Sequence, residues 1–250
     1  MKILGITQVR LNSTRLPEKV LLKVTDKTLL EIHLNRILKS KRISKLILAT
    51  TNELNIEKIT EISENLGVTF YKGSMNNVLD RFYKAALNEN PDWIVRLTSD
   101  CPLIDHRLID QVIDFVVTKD VDYGSNILLE KFPDGQDIEV FRFSALKKAW
   151  ENAELKSDKE HVTPYIRNNS DFNGEKTFRA INYESKSDYS RIRMTVDNIE
   201  DFEVIKILIN KLGCDRKWEE YTDYIIDNNL LEINCNNLRN EGLKKSLLND

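Results

Sequence analysis

The feature that most restricts what this chain can become is a rhythm in its first hundred residues. Short, mostly apolar runs alternate with segments whose apolar residues recur every three or four positions. Ile3-Leu4-Gly5-Ile6 is followed by Leu29, Leu30, Leu34, Ile37 and Leu38 at helical spacing, then by Leu46-Ile47-Leu48-Ala49. Ile56, Ile59, Ile62 and Leu66 come next, with Gly67 placed to end a helix. The run from Val68 to Tyr71, the helical set Val78, Leu79, Phe82 and Ala86, and the run from Trp93 to Leu97 continue the pattern. Strand and helix in strict alternation predict a mostly parallel sheet covered on both faces. In such sheets a ligand binds beyond the carboxyl ends of the strands. The loop after Ile6 and the segments after Ala49 and Leu97 sit at such ends, which makes Gln8, Thr50 and Arg96 candidate nucleotide-binding residues.

The first of these ends carries the densest chemistry. Between Gln8 and Lys19 lie Arg10, Arg15 and Lys19, the hydroxyls of Ser13 and Thr14, and Pro17 to stiffen the path. Backbone amides leaving a buried strand, joined by fixed positive charges, suit a polyphosphate. Arg clamps phosphate oxygens in pairs, while Lys acts as a compact point charge. From composition alone an ordinary solvated basic loop fits these residues equally well.

The remaining composition narrows the class. A 250-residue chain with 41% hydrophobic and 31% charged residues can bury a substantial core and present a water-soluble surface. A formal net charge of −3 argues against binding a nucleic-acid polymer, which needs a basic face. Cys101, Cys214 and Cys235 are scattered without a C-x-x-C pair, so the expectation is reduced thiols and no zinc site. Met1-Lys2 runs directly into the first strand pattern, and no apolar stretch approaches a signal peptide or membrane span. A cytoplasmic protein without a membrane partner is expected. With 8 glycines, 5 prolines and no repeats or linker-like stretch, one domain over 1–250 is the simplest reading.

Further along, Asp100 lies just past a buried strand, where a carboxylate is costly unless it is paired or binds a metal. Mg²⁺ is satisfied by one or two carboxylates together with waters and substrate phosphates. Asp105 has the plainer role of capping the helix through Leu108, Val112 and Phe115. Asp137, Ile138, Glu139, Val140 and Phe141 alternate as a strand whose two carboxylates share a face. A helix through Leu146 and Trp150 follows, and then His161, either a base or a helix-borne histidine held by hydrogen bonds. Residues 168–188 are polar and weakly periodic, as in a flap or a dimer-facing insertion. Arg191 to Asp197 alternate like a strand, and the helix after Asn198 closes near Gly213. On position alone Asp197 is as good a helix cap as a ligand. A last helix runs from Trp218 through Ile225.

Several of these strings together resemble the CMP-sugar synthetases, which activate Kdo and acylneuraminates, and most closely their spore-coat polysaccharide (SpsF-type) branch. Arg10, Ser13, Arg15, Pro17 and Lys19 match A-R-x-x-S-x-R-x-P-x-K, with Glu18 where the family usually has glycine. D-C-P-L-I-D from Asp100 resembles G-D-x-P-L-I-D. The segments from Asp122, Phe132 and Lys159 resemble D-Y-x-S-N, F-P-D-G-x-D-x-E-V-F and R-E-H-V-T-P-Y. T-V-D-N-I-E-D-F around Asp197 resembles T-V-D-T-P-E-D-L, and the ending from Asn240 resembles the branch's N-E-G-Y-x-K-S-L.

The resemblance implies an α/β, Rossmann-like nucleotidyltransferase sandwich of three layers, GT-A-like, with a small antiparallel subregion. It implies CTP as donor, a sugar or sugar-acid acceptor, Mg²⁺ held by Asp100 and Asp197, and a homodimer. Arg10, Arg15, Lys19 and Asp100 would be catalytic, and Gln8, Arg10, Ser13, Arg15, Lys19, Thr50 and Arg96 would hold the nucleotide. Asp137, Glu139 and His161 would meet the acceptor, with residues 122–190 as the acceptor and dimer region and 214–250 as a branch-specific ending. A GT-A glycosyltransferase and a non-catalytic nucleotide-sugar subunit are the alternatives.

Overall fold

The computed structural model describes residues 1–13, 15–248 and 250; Thr14 of the basic loop lies outside the described residues. The chain opens with β1 (Ile3–Gln8), leaves it through the basic loop, and makes one 3₁₀ turn at Lys19–Leu21. A small hairpin, β2 (Lys23–Val24) and β3 (Lys27–Thr28), leads into α1 (Leu29–Ile37). The start of α1 is sealed reciprocally. The Glu31 amide donates to the Thr28 hydroxyl at 3.1 Å, and the Thr28 amide donates to the Glu31 carboxylate at 2.7 Å. The alternation then proceeds through β4 (Lys45–Thr51), α2 (Glu57–Asn65), β5 (Thr69–Gly73), α3 (Val78–Leu87), β6 (Trp93–Thr98) and α4 (His106–Val117). Asp105 caps α4 by accepting from the Arg107 amide at 2.9 Å, and its other oxygen accepts from the Trp218 amide.

The second half adds β7 (Tyr123–Ser125), β8 (Glu139–Arg142), α5 (Phe143–Asn152), α6 (Lys156–His161), α7 (Pro164–Asn168) and β9 (Ala180–Asn182). It closes with α8 (Ile199–Leu212), α9 (Trp218–Asp227), α10 (Leu231–Asn234) and α11 (Glu241–Leu247). The main sheet has the order β5-β4-β1-β6-β8-β7-β9. β1 is parallel to β4 and β6, and β4 to β5. Only β8 opposes its neighbours, so the sheet is mostly parallel with a small antiparallel region.

Successive strand residues supply two different cores, as a doubly covered sheet requires. Leu46, Leu48, Trp93, Val95 and Leu97 pack with α1, α2 and α4. Leu4, Ile6, Ile47, Ala49 and Ile94 pack with α3, α5 and α7. A third cluster joins α8 and α9 to Leu103, Ile192, Met194 and Val196. Gly67 and Gly213 follow α2 and α8 with φ of 69° and 81°, as helix-ending glycines do.

Three expectations are corrected. Residues 191–197 are extended but do not join the sheet; their ladder is a single bridge between Arg193 and Asp134. Gly135 explains this close crossing. Its φ is 106°, and a Cβ there would lie 2.6 Å from the Met194 carbonyl carbon. Asp137 precedes β8 rather than standing in it beside Glu139. The polar stretch 168–188, expected as a flap or a dimer-facing insertion, contains β9, an edge strand paired with β7.

Candidate active site

A cleft of about 740 Å³ opens beyond the carboxyl ends of β1 and β6. Gln8, Arg10, Ser13, Arg15 and Lys19 reach it from the basic loop, and Arg96 and Asp100 reach it from β6 and its end. Asp137, His161 and Asp197 complete the set, so widely separated stretches meet at one place.

The loop keeps its shape through a buried acid. Glu53 accepts from the Leu11 and Asn12 amides at 3.3 and 3.2 Å, and from the Thr51 hydroxyl. Glu18 adopts φ 52° and ψ 23°, the left-handed conformation that glycine takes at no cost. Its carboxylate is half exposed and pairs with Lys58 at 3.5 Å, outside the lining of the cleft.

Within the cleft the charges neutralise one another. Lys19 Nζ donates to the Val196 carbonyl at 2.7 Å, to Asp197 at 2.8 Å and to Asp100 at 3.3 Å. Arg15 pairs with Asp197 at 2.7 Å and with Glu241 at 3.3 Å. Burial alone would push the Asp197 carboxyl up, but Lys19 and Arg15 override it and hold it well below the usual range. Burial would likewise lower Lys19, and Asp100 and Asp197 together raise it instead. Asp197 does not cap α8. That task falls to Asp201, whose carboxylate accepts from the Asp197 and Asn198 amides.

Asp100 and Asp197 both reach one ammonium nitrogen, so their carboxylates face the same point of the cleft. Among the described residues no three metal-ligating side chains converge. Two acids beside a polyphosphate-sized cleft are the donor set that Mg²⁺ accepts, with its other positions left to phosphates and water. The residues therefore fit that ion.

Arg193 holds this wall in place. Its guanidinium binds Asp134, meets Asp201 at 2.8 and 3.1 Å, and reaches Asp197 at 3.0 Å. Burial and nearby Asp137 push Asp134 up to about 7. On the β6 side, His33 bridges the Thr7 hydroxyl at 2.8 Å and the Cys101 carbonyl at 2.9 Å, which fixes the backbone that presents Asp100. Burial lowers the His33 pKa to about 4, so the ring is neutral.

Two candidates are not brought to the cleft. Thr50 is wholly buried in β4, and its hydroxyl has no partner among the described residues. Glu139 is also buried. It accepts from Tyr123 at 2.7 Å and Thr163 at 2.6 Å and binds Arg96, so it orients a cleft residue from behind. Gln8 accepts from Arg96 at 3.3 Å. Ser13 turns its hydroxyl to the Leu16 amide at 3.4 Å. His161 is neutral, its pKa pushed to about 4 by burial and then by Arg96 and Arg167.

Arg81 is the chief residue that sequence reasoning missed. It is 2% exposed on the α3 wall, and one nitrogen donates to the Ser74 carbonyl while Nε has no partner among the described residues. Burial and Arg10 depress it to about 10. A buried guanidinium beside a like charge favours an anion in the cleft. Its only signal was a charge on the apolar face of an amphipathic helix. Arg167 and Lys159 also line the cleft, across from Asp197 and the basic loop.

Comparison with known proteins places these features. The model of a family described as cytidylyltransferase matches residues 4–232. An uncharacterized protein of Methanocaldococcus jannaschii is 43% identical over 208 residues, 82% of each chain. The spore coat polysaccharide biosynthesis protein SpsF of Bacillus subtilis is 33% identical over 227 residues, 84% of this chain and 88% of that one. The structure of a cytidylyltransferase from Leptospira borgpetersenii superposes with a TM-score of 0.86 at 33% identity, over 96% of this chain and 99% of that chain.

Proposed function

The chain belongs to the cytidylyltransferase family, and from that premise we propose that it transfers the cytidylyl group of CTP to an anionic sugar or sugar acid, releasing pyrophosphate, for surface polysaccharide synthesis. The acceptor hydroxyl attacks the α-phosphorus, and the bond to the β-phosphate oxygen breaks. Arg10, Arg15, Lys19 and Arg81 hold the triphosphate and offset the charge that collects on departing pyrophosphate. Asp100 and Asp197 would hold Mg²⁺, which when bound would neutralise phosphate charge and make the acceptor hydroxyl more acidic. Lys159, Arg96 and Arg167 favour a negative charge on the acceptor, and His161 is a neutral hydrogen-bonding group beside it. The protein's work is positioning and charge stabilisation.

One observation carries this reading: Asp100 and Asp197 are both paired to Lys19, and Arg15 shares Asp197. A cation and a polyphosphate arriving together replace those pairs charge for charge. The test is pyrophosphate release by the purified protein with Mg²⁺, each of the four NTPs, and a panel of Kdo, sialic acids and sugar phosphates. Release with CTP alone and one acceptor supports the assignment. Folded Lys19→Ala and Asp100→Ala variants should each lose on the order of 10²-fold or more in turnover. Full turnover in both would overturn it.

A further inference from the structure

The family match ends at residue 232, yet residues beyond it complete the cleft. Asn240, Glu241, Gly242 and Leu243 line it. The segment is fastened along its length. Arg239 donates to the Phe132 carbonyl at 3.0 Å and to Asp137 at 2.6 Å, and the Asn240 amide donates to Glu130 at 2.6 Å. Glu241 meets Arg15, and the Ser246 hydroxyl donates to Glu160 of α6 at 2.8 Å. The segment therefore runs from Asp137, past the basic loop, to the helix that carries His161. At its middle stands a residue with no side chain. A Cβ built on Gly242 would face His161, with the nearest ring carbon 3.9 Å away, so a larger side chain there would fill the space between the two walls.

The basic loop, Asp100 and Asp197 all fall within the family match. The wall lies beyond that match, and the space it bounds beside His161 is where a second substrate fits. We infer that residues 239–243 form the acceptor-specificity wall of the cleft, with the acceptor seated between Gly242 and His161. Arg239 is a positioning residue that holds Asp137 at the edge of that seat. This inference rests on the proposed reaction.

The test compares the unaltered chain with Gly242→Leu and with a chain ending at Leu238. Leucine is a better helix former than glycine at this position in α11, so the first variant folds. Calorimetry gives the affinity for CTP with Mg²⁺, and pyrophosphate release over the acceptor panel gives the acceptor KM. CTP affinity within threefold of the unaltered chain, with acceptor KM raised at least tenfold in both variants, supports the wall. An unaltered chain that is active while both variants keep KM within twofold overturns the wall and leaves the reaction standing. Loss of CTP affinity in Gly242→Leu equal to its loss in acceptor affinity also overturns the wall. An unaltered chain that uses no acceptor of the panel overturns the reaction and the wall with it.

Discussion

Lys19 does two jobs that separate in one variant. It supplies a positive charge for phosphate, and without ligand it neutralises both carboxylates of the site. Lys19→Met leaves Asp100 without its ammonium partner and Asp197 held by Arg15 and Arg193 alone, so bare Mg²⁺ should bind this variant more tightly than the unaltered chain, by about tenfold. A Mg²⁺ titration followed by thermal shift checks this, and equal or weaker binding would contradict the shared site. His33 makes a different prediction. Its pKa is about 4 in the fold against an ordinary 6.5. The unfolded chain thus takes up a proton that the native chain refuses, so the stability it contributes is whole above about pH 6.5 and is lost as pH falls toward 4. Between pH 7 and pH 5 that loss is about 2 kcal/mol. Urea unfolding at the two pH values, compared with His33→Gln, should show the unaltered chain losing more by that amount.

At the scale of elements, the crossing of the 133–135 turn with the 191–197 segment decides where Asp197 stands. Gly135→Ala would drive a methyl group into the Met194 backbone at a φ that side chains resist. The expected result is a loss of about 3 kcal/mol or more in unfolding free energy and a deeper loss of activity, measured by denaturation and turnover. This crossing also marks the limit of what the sequence discloses. The strands β1, β4 and β6 were legible because burial on both faces imprints a nearly continuous apolar run, and β5, an edge strand, by its place in the alternation. The caps Asp105 and Gly213 were legible because capping is local chemistry. The 191–197 segment carries the same period as a strand, and nothing in a period tells whether its backbone finds a neighbour over several residues or over one. Thr50 and Glu139 were misplaced for a related reason: strand ends name the right region but not which residues the next layer covers. Arg193 and Arg239 gain much of their meaning from Asp134 and Asp137, 59 and 102 positions away, and Arg81 gains its own from the cleft it lines.

The molecule as a whole is a sheet with cores on both faces and its charged groups gathered at one end. Anything that binds this end and not the unfolded chain stabilises all of it. CTP with Mg²⁺ at about 100 times its Kd should add about 2.7 kcal/mol, which for a chain of this size raises Tm by about 5–10 °C. CTP with a chelator should give less than half that shift, and ATP with Mg²⁺ should give little; equal shifts from ATP and CTP would remove base selectivity from the site. The Arg193 cluster has a consequence for how such a chain can change over generations. One guanidinium ties Asp134, Asp197 and Asp201, and Asn234 donates to Asp201 and to the Arg193 carbonyl. Replacing Arg193 leaves the buried carboxylates of Asp134 and Asp201 without their guanidinium, at a cost of about 3–5 kcal/mol, more than most domains can spare. A different arrangement around these acids is therefore reached by replacing the guanidinium and its carboxylates together, and not by losing the guanidinium first.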